Sequence, residues 1–245
     1  MILLIDVGNT RLKTAVSNDG RIEMLASICH GGNWASVVEK LNIPFQVESV
    51  HVASVAGAES QENIAESLFN KLGLRAVFHC ATQEGLGVHN GYKEPAQLGV
   101  DRWMAIIAGY RRARGAACIV DCGTTITIDL VAAQGEHKGG FIIPGLTMAK
   151  KSLLSGTKEI DVTKEVDVHR LSWGLSSEEA VYHGLMFSAV ACVEQAFKVF
   201  QLSEPDAKLL LTGGDALGIA GYIDCALLVP ELVLEGIYCS ATLGV

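Results

Sequence analysis

The chain has 245 residues, 49% of them apolar and 19% charged, with a formal net charge of −8. That balance supplies a sizeable core and argues against disorder, and an acidic chain without a Lys/Arg-rich block gives nucleic-acid binding little support. No apolar run reaches the roughly 18 residues of a membrane helix, and the opening run, Met1 to Ile5, is too short and lacks the basic start of a signal peptide. A cytoplasmic protein is the expectation. Seven cysteines (29, 80, 118, 122, 192, 225 and 239), odd in number and without a C-x-x-C pair, fit free thiols in a reducing compartment. Cys118 and Cys122 share one face at i, i+4 spacing and read as core filler.

In chain order, alternation predicts strands at 2–7, 11–18 and 21–28, with Asn18-Asp19-Gly20 as the turn between the last two. A helix at 34–41 and a strand at 49–55 follow. Residues 61–72 carry Ile64, Leu68 and Leu72 at helical spacing before a stop at Gly73. After a strand at 75–80 comes a long glycine-punctuated stretch, 85–100, and then a helix beginning at Asp101. The second half repeats the scheme: strands at 117–122, 124–133 and 137–143, a helix near 146–154, a polar irregular patch, and a long helix at about 178–200. A strand at 208–212 leads into Thr212-Gly213-Gly214-Asp215, and a last strand near 226–229 precedes a closing helix at 231–243. Three antiparallel strands followed by alternating helix and strand, twice over, predict an α/β protein with mixed sheets.

The repetition is visible in the letters. MILLIDVGNTRLKTAV returns 115 residues later as ACIVDCGTTITIDLV, so that Asp6 matches Asp121, Gly8 matches Gly123, Thr10 matches Thr125 and Gly20 matches Gly135. Such a self-match signals internal duplication and predicts domains at 1–114 and 115–245. Each copy reads as an apolar strand ending in Asp, a turn rich in glycine and hydroxyls, and a second strand. Two loops of this kind offer carboxylates and backbone amides to a polyphosphate and its metal ion.

Duplicated hairpins with acidic loops and a late T-G-G resemble the superfamily of acetate and sugar kinases and actin-like ATPases, which implies two ribonuclease-H-like domains. Within it, D-V-G-N-T-R-L-K at 6–13, G-Y-x-x-P…G-x-D-R at 91–102, D-x-G-T-T at 121–125 and G-G-x-I-x-P-G at 139–145 resemble the type III pantothenate kinases. The resemblance implies ATP-dependent phosphorylation of pantothenate at its 4′-hydroxyl, the first step of coenzyme A synthesis, by a homodimer with pantothenate near the subunit interface. It implies ATP contacts from Asp6, Val7, Gly8, Asn9, Thr10, Arg11, Leu12, Lys13 and Thr124. Asp6 would hold Mg²⁺ or another divalent cation, directly or through water, and Asp121 a monovalent cation, K⁺ or NH₄⁺. Asp101 is implied as general base, with Tyr92, Gly99, Val100, Arg102 and Ser177 beside the substrate.

Each residue also has a plainer reading. Asp6 can cap its own turn, Lys13 can be a solvated strand residue, and Tyr92 a half-buried loop aromatic. Asp101 and Ser177 both stand where a helix N-cap is expected. The family usually has G-K-N-T before the long helix, whereas this chain has Gly174-Leu175-Ser176-Ser177, which keeps a hydroxyl and loses Lys and Asn. Asp129 has no assigned role, and beyond Thr212-Gly213-Gly214 nothing marks an adenine pocket. The stripe Leu185, Met186, Ala189, Val193, Phe197 suits either a dimer interface or the core. Two rivals are another small-molecule kinase of the superfamily and a catalytically silent nucleotide-binding regulator.

Overall fold

The computed structural model describes residues 1–157 and 171–244. Most of the polar irregular patch expected before the long helix lies outside the described residues. The chain forms two compact units that are not continuous in sequence: residues 1–114, 134–138 and 231–245 make the first, and residues 115–133 and 139–230 the second.

In the first unit, β1 (Ile2–Val7), β2 (Arg11–Asn18) and β3 (Arg21–Cys29) run antiparallel. Asp19 and Gly20 carry the β2–β3 turn with φ of 49° and 85°, the two positive values of a type I′ hairpin. Helix α1 (Trp34–Glu39) leads to β4 (Ser49–Ser54), and α2 (Ala58–Leu72) leads to β5 (Ala76–Phe78). Both strands join in parallel, so the sheet order is β3-β2-β1-β4-β5. Alternation sends Leu3, Ile5, Val7, Val50 and Val52 to one face, where Trp34, Val37 and Val38 of α1 and Ile64 and Leu68 of α2 cover them. Helix α2 begins earlier than residue 61, because Glu59 in its first turn favours that end.

The stretch expected to be irregular contains a small hairpin, β6 (Glu84–Gly85) with β7 (Val88–His89), and a single 3₁₀ turn at Pro95–Gln97. It ends in α3 (Val100–Ala113).

The second unit has β8 (Ala117–Cys122), β9 (Thr125–Val131) and, from residue 139 on, β10 (His137–Pro144), then α4 (Leu146–Gly156), α5 (Ser177–Gln201), β11 (Lys208–Thr212), the short α6 (Ala216–Ala220) and β12 (Ala226–Leu228). Its sheet order, β10-β9-β8-β11-β12, is the order of the first sheet again. Cys118, Val120 and Cys122 of β8, with Ile126 and Ile128 of β9, pack against Met186, Ala189, Val193 and Phe197 of α5. The stripe on α5 is thus core, with Leu185 only partly covered.

The last helix, α7 (Leu232–Leu243), returns to the first unit and packs on α3, β1 and β4. Gly236 allows this approach, since a Cβ there would run into the backbone of Met104 on α3. Arg112 Nη1 reaches both carboxylate oxygens of Glu235 at 2.9 and 3.0 Å.

Candidate active site

The first loop joins β1 to β2 and is closed by the Gly8 N–H donating to the Arg11 carbonyl at 3.0 Å. In the β1–β2 register Asp6 stands opposite Lys13, so carboxylate and ammonium share one face of the sheet. Asp6 is buried, whereas Asn9, Thr10 and Arg11 are exposed. Val7 and Leu12 also pair across the strands, and both side chains are fully buried in the core. Only their backbone groups face the loop's surroundings. Arg11 Nη1 donates to Ser27 Oγ at 3.1 Å, tying the loop to β3.

The second loop has one residue fewer. Here Gly123 N–H donates to the carbonyl of Thr125 at 3.0 Å, and Asp121 stands opposite Thr127. The strands duplicate, but the position of Lys13 is filled by an uncharged hydroxyl, so the two loops offer different charge. Thr124 is held from the G-G-x-I-x-P-G segment, because the Gly145 N–H donates to its carbonyl at 3.1 Å. A Cβ on Gly145 would collide with the carbonyls of Gly123 and Thr124. The T-G-G turn lies against the same carboxylate: Thr212 pairs with Asp121 in the β8–β11 register. Gly213, at φ 97°, has no room for a Cβ beside Asp121 Oδ1 and the Cys122 carbonyl. Burial, then the Asp121 and Asp215 carboxylates, push the Cys122 thiol up to about 12, so it stays a neutral core side chain. Asp129 on β9 is buried, on the face away from Ile126 and Ile128.

The loop leading to Asp101 is organised by Asn90, a residue outside the motifs quoted above. Asn90 is 4% exposed. Its Nδ2 donates to the carbonyls of Thr82 (3.0 Å) and Pro95 (3.2 Å), and its Oδ1 accepts from the Tyr92 N–H at 3.0 Å. The Asn-Gly pair just before Tyr92 was the available signal, since Asn bonds its own backbone two residues on in an Asx turn. Tyr92 is thereby set between two partners. Arg102 Nη1 donates to its hydroxyl at 2.6 Å while the guanidinium lies 5.4 Å from the ring centroid. His137, buried, stacks on the ring at 6.0 Å and 15°.

Asp101 is not the N-cap of α3. Gly99 holds that position without a side-chain cap, and Asp101 sits one residue inside the helix. Its Oδ1 accepts from the Arg102 N–H at 2.7 Å. A Cβ on Gly99 would stand 2.6 Å from that oxygen, so the glycine of G-x-D-R makes room for the carboxylate. The cap of α5 is likewise shifted. Ser176 caps it by accepting from Glu179 N–H at 3.2 Å, and Glu179 accepts from Leu175 N–H at 2.7 Å. Ser177 instead lines a pocket of about 390 Å³ between α4 and α5 with Leu153, Val181, Gly184 and Leu185. Among the described residues no three His, Cys, Asp or Glu side chains gather as a metal cage. Mg²⁺ needs none, because it binds through one or two carboxylates, waters and substrate phosphates, and Asp6 at the end of a strand fits that donor set.

Two sheets of one order, each opening on an Asp-Gly-hydroxyl loop and flanked by helices, make a duplicated α/β fold. Among solved structures with that fold, a protein described as a 2-dehydro-3-deoxygalactonokinase from Sinorhizobium meliloti superposes with a TM-score of 0.59 at 12% identity, covering 100% of this chain and 97% of its own. One described as a Baf family transcriptional activator from Campylobacter jejuni gives 0.62 at 22% identity, over 99% and 100%. The chain belongs to the type III pantothenate kinase family, whose sequence profile matches residues 2–199. It is 38% identical over 241 residues to the type III pantothenate kinase of Alcanivorax borkumensis, with 97% of each chain covered.

Proposed function

We propose that this protein transfers the γ-phosphoryl group of ATP to the 4′-hydroxyl of pantothenate, giving 4′-phosphopantothenate at the entry to coenzyme A synthesis. Family membership supports the reaction class, and the observation that carries the mechanism is the placement of Asp101. It lies in the first turn of α3, with Gly99 leaving space beside its Oδ1 and the Tyr92–Arg102 pair on the same loop and helix. Asp101 takes the proton of the 4′-hydroxyl as the oxygen bonds to phosphorus and the bond to the ADP oxygen breaks. Arg102 and Tyr92 orient pantothenate, with the amides of Gly99 and Val100 and the hydroxyl of Ser177. Asp6, Gly8, Asn9, Thr10, Lys13 and the backbone of Val7, Arg11 and Leu12 take the phosphates, joined by Thr124. Mg²⁺ held by Asp6 would neutralise charge that develops on the phosphoryl oxygens.

Asp121 is the ligand for K⁺ or NH₄⁺, and two structural features support this. Its position lacks the opposing lysine that Asp6 has, and the T-G-G backbone at Gly213 packs against it without a side chain. The working form is a cytoplasmic homodimer. Trp173, Leu175 and Phe187, on or just before α5, are more than 60% exposed and supply apolar surface for a subunit contact.

The deciding experiment is turnover of purified protein with ATP, Mg²⁺ and a panel of small alcohols in K⁺, NH₄⁺ or Na⁺ buffer. Pantothenate is expected to be the accepted substrate, with K⁺ or NH₄⁺ required and Na⁺ a poor replacement. Phosphorylation of another alcohol in preference to pantothenate would overturn the substrate assignment, and equal rates in Na⁺ and K⁺ would remove the role given to Asp121.

A further inference from the structure

His30 follows the last residue of β3. Its backbone N–H donates to the carbonyl of Thr10 at 3.3 Å, and its Nε2 lies 3.0 Å from the carbonyl oxygen of Gly8. One residue outside the first loop therefore engages two of that loop's carbonyls. The ring itself is fixed from two further sides. It stacks on the buried Trp34 with centroids 4.3 Å apart and planes at 28°. Gly31 and Gly32, at φ of 54° and 83°, bend the chain back so that the Gly32 N–H points at Nδ1, 3.3 Å away.

These contacts settle the tautomer. A carbonyl oxygen can only accept and a backbone N–H can only donate. The ring must then carry its proton on Nε2 and leave Nδ1 bare; the opposite tautomer would lose both bonds. A phosphate-binding loop also needs its carbonyl dipoles engaged elsewhere, because an oxygen turned toward a phosphate repels it while successive N–H groups attract it.

We infer that His30 is a positioning residue of the phosphate loop. Its ring Nε2–H holds the Gly8 carbonyl and its backbone N–H the Thr10 carbonyl, and together they keep the loop in the shape that receives the nucleotide phosphates. The inference rests on the reading that residues 6–13 bind those phosphates, and it gives His30 no contact with substrate.

The test compares His30→Gln, His30→Asn and His30→Ala by steady-state kinetics and thermal melting. The amide N–H of Gln reaches about as far as Nε2, whereas Asn reproduces only the Nδ1 end. Loss of the Gly8 bond should raise KM for ATP roughly fivefold to tenfold in the Ala and Asn variants, the factor expected for one neutral hydrogen bond. KM for pantothenate should stay within about twofold, and Gln should restore most of the ATP affinity. Trp34→Leu removes the stack without removing either hydrogen-bonding group, so it should lower Tm and leave KM for ATP nearly unchanged. A merely structural role would appear as ATP affinity that follows Tm across all four variants, with no advantage for Gln over Asn, and that would overturn the inference. A Lys13→Met control separates the two levels. If it raises KM for ATP while His30→Ala does not, only the His30 inference fails. If neither changes it, the reading of the loop fails as well.

Discussion

Asp101 is the residue on which turnover should depend most. Asn can accept the Arg102 N–H as Asp does, but it cannot take a proton at neutral pH. Asp101→Asn should therefore lower kcat by roughly two orders of magnitude or more, with a stability change of about 1 kcal/mol or less. Near-normal kcat would send the search for the base elsewhere. Gly99→Ala is the subtler probe, because its new methyl meets only the movable Oδ1 of Asp101. The carboxylate must turn away, so kcat should fall by about tenfold or more with Tm hardly changed, on the scale of about 1 Å misplacement at a reacting group. If Gly99→Ala melts early instead, the glycine serves the backbone rather than the carboxylate. The motif G-x-D-R pointed to Asp101, but its helical position was not legible. Asp is so favoured at caps that propensity alone named the wrong residue for that job, and the glycine beside it fills the cap with no side chain at all.

At the level of elements, the duplicated strands and the long helices could be read directly, since period-2 and period-3.6 patterns survive in the letters. The hairpin at 84–89 was hidden for a physical reason: its turn is Leu86-Gly87, and a leucine at φ 49° is no turn signal. The unequal loop lengths were hidden too, because Thr10 and Thr125 align by letter although the β8–β9 loop closes one residue sooner. The two serines at the start of α5, Ser176 and Ser177, illustrate the same limit, as cap chemistry is shared by neighbours until geometry separates them. Ser176→Ala should cost about 1 kcal/mol of stability and leave KM for pantothenate near normal. Ser177→Ala should do the reverse, raising that KM several-fold with little change in melting, by the cost of about one hydrogen bond. Equal effects of both substitutions on stability alone would assign Ser177 to the helix end.

For the molecule as a whole, acid should be a weak point of the first unit. His51 on β4 and His79 after β5 sit with Nδ1 and Nε2 3.1 Å apart. Burial lowers both from the usual 6.5, and His79, with His51 beside it, falls to about 4. The unfolded chain therefore binds more protons than the folded one between about pH 6.5 and pH 4. Stability is fully present above that window and is lost as pH falls through it. Urea titrations at pH 7 and pH 5 should show this loss, and a His51→Gln/His79→Gln double variant should show less of it. An unchanged pH dependence in the double variant would place the acid sensitivity elsewhere.

The return of α7 to the first unit also sets an order of assembly on the ribosome. Domains usually complete themselves from the N-terminus as synthesis proceeds, but here the second unit has all its residues once position 230 has emerged, while the first still lacks 231–245. Leu232, Val233, Leu234 and Ile237 are buried side chains of α7, so until they arrive the surfaces of α3, β1 and β4 against which they pack stay open. The half of the protein begun first is thus finished last. Limited proteolysis of chains ending at residue 230 should show it, with cuts concentrated in residues 1–114 while residues 115–133, 139–157 and 171–230 are protected; equal protection of both sets would mean that the first sheet closes without its last helix.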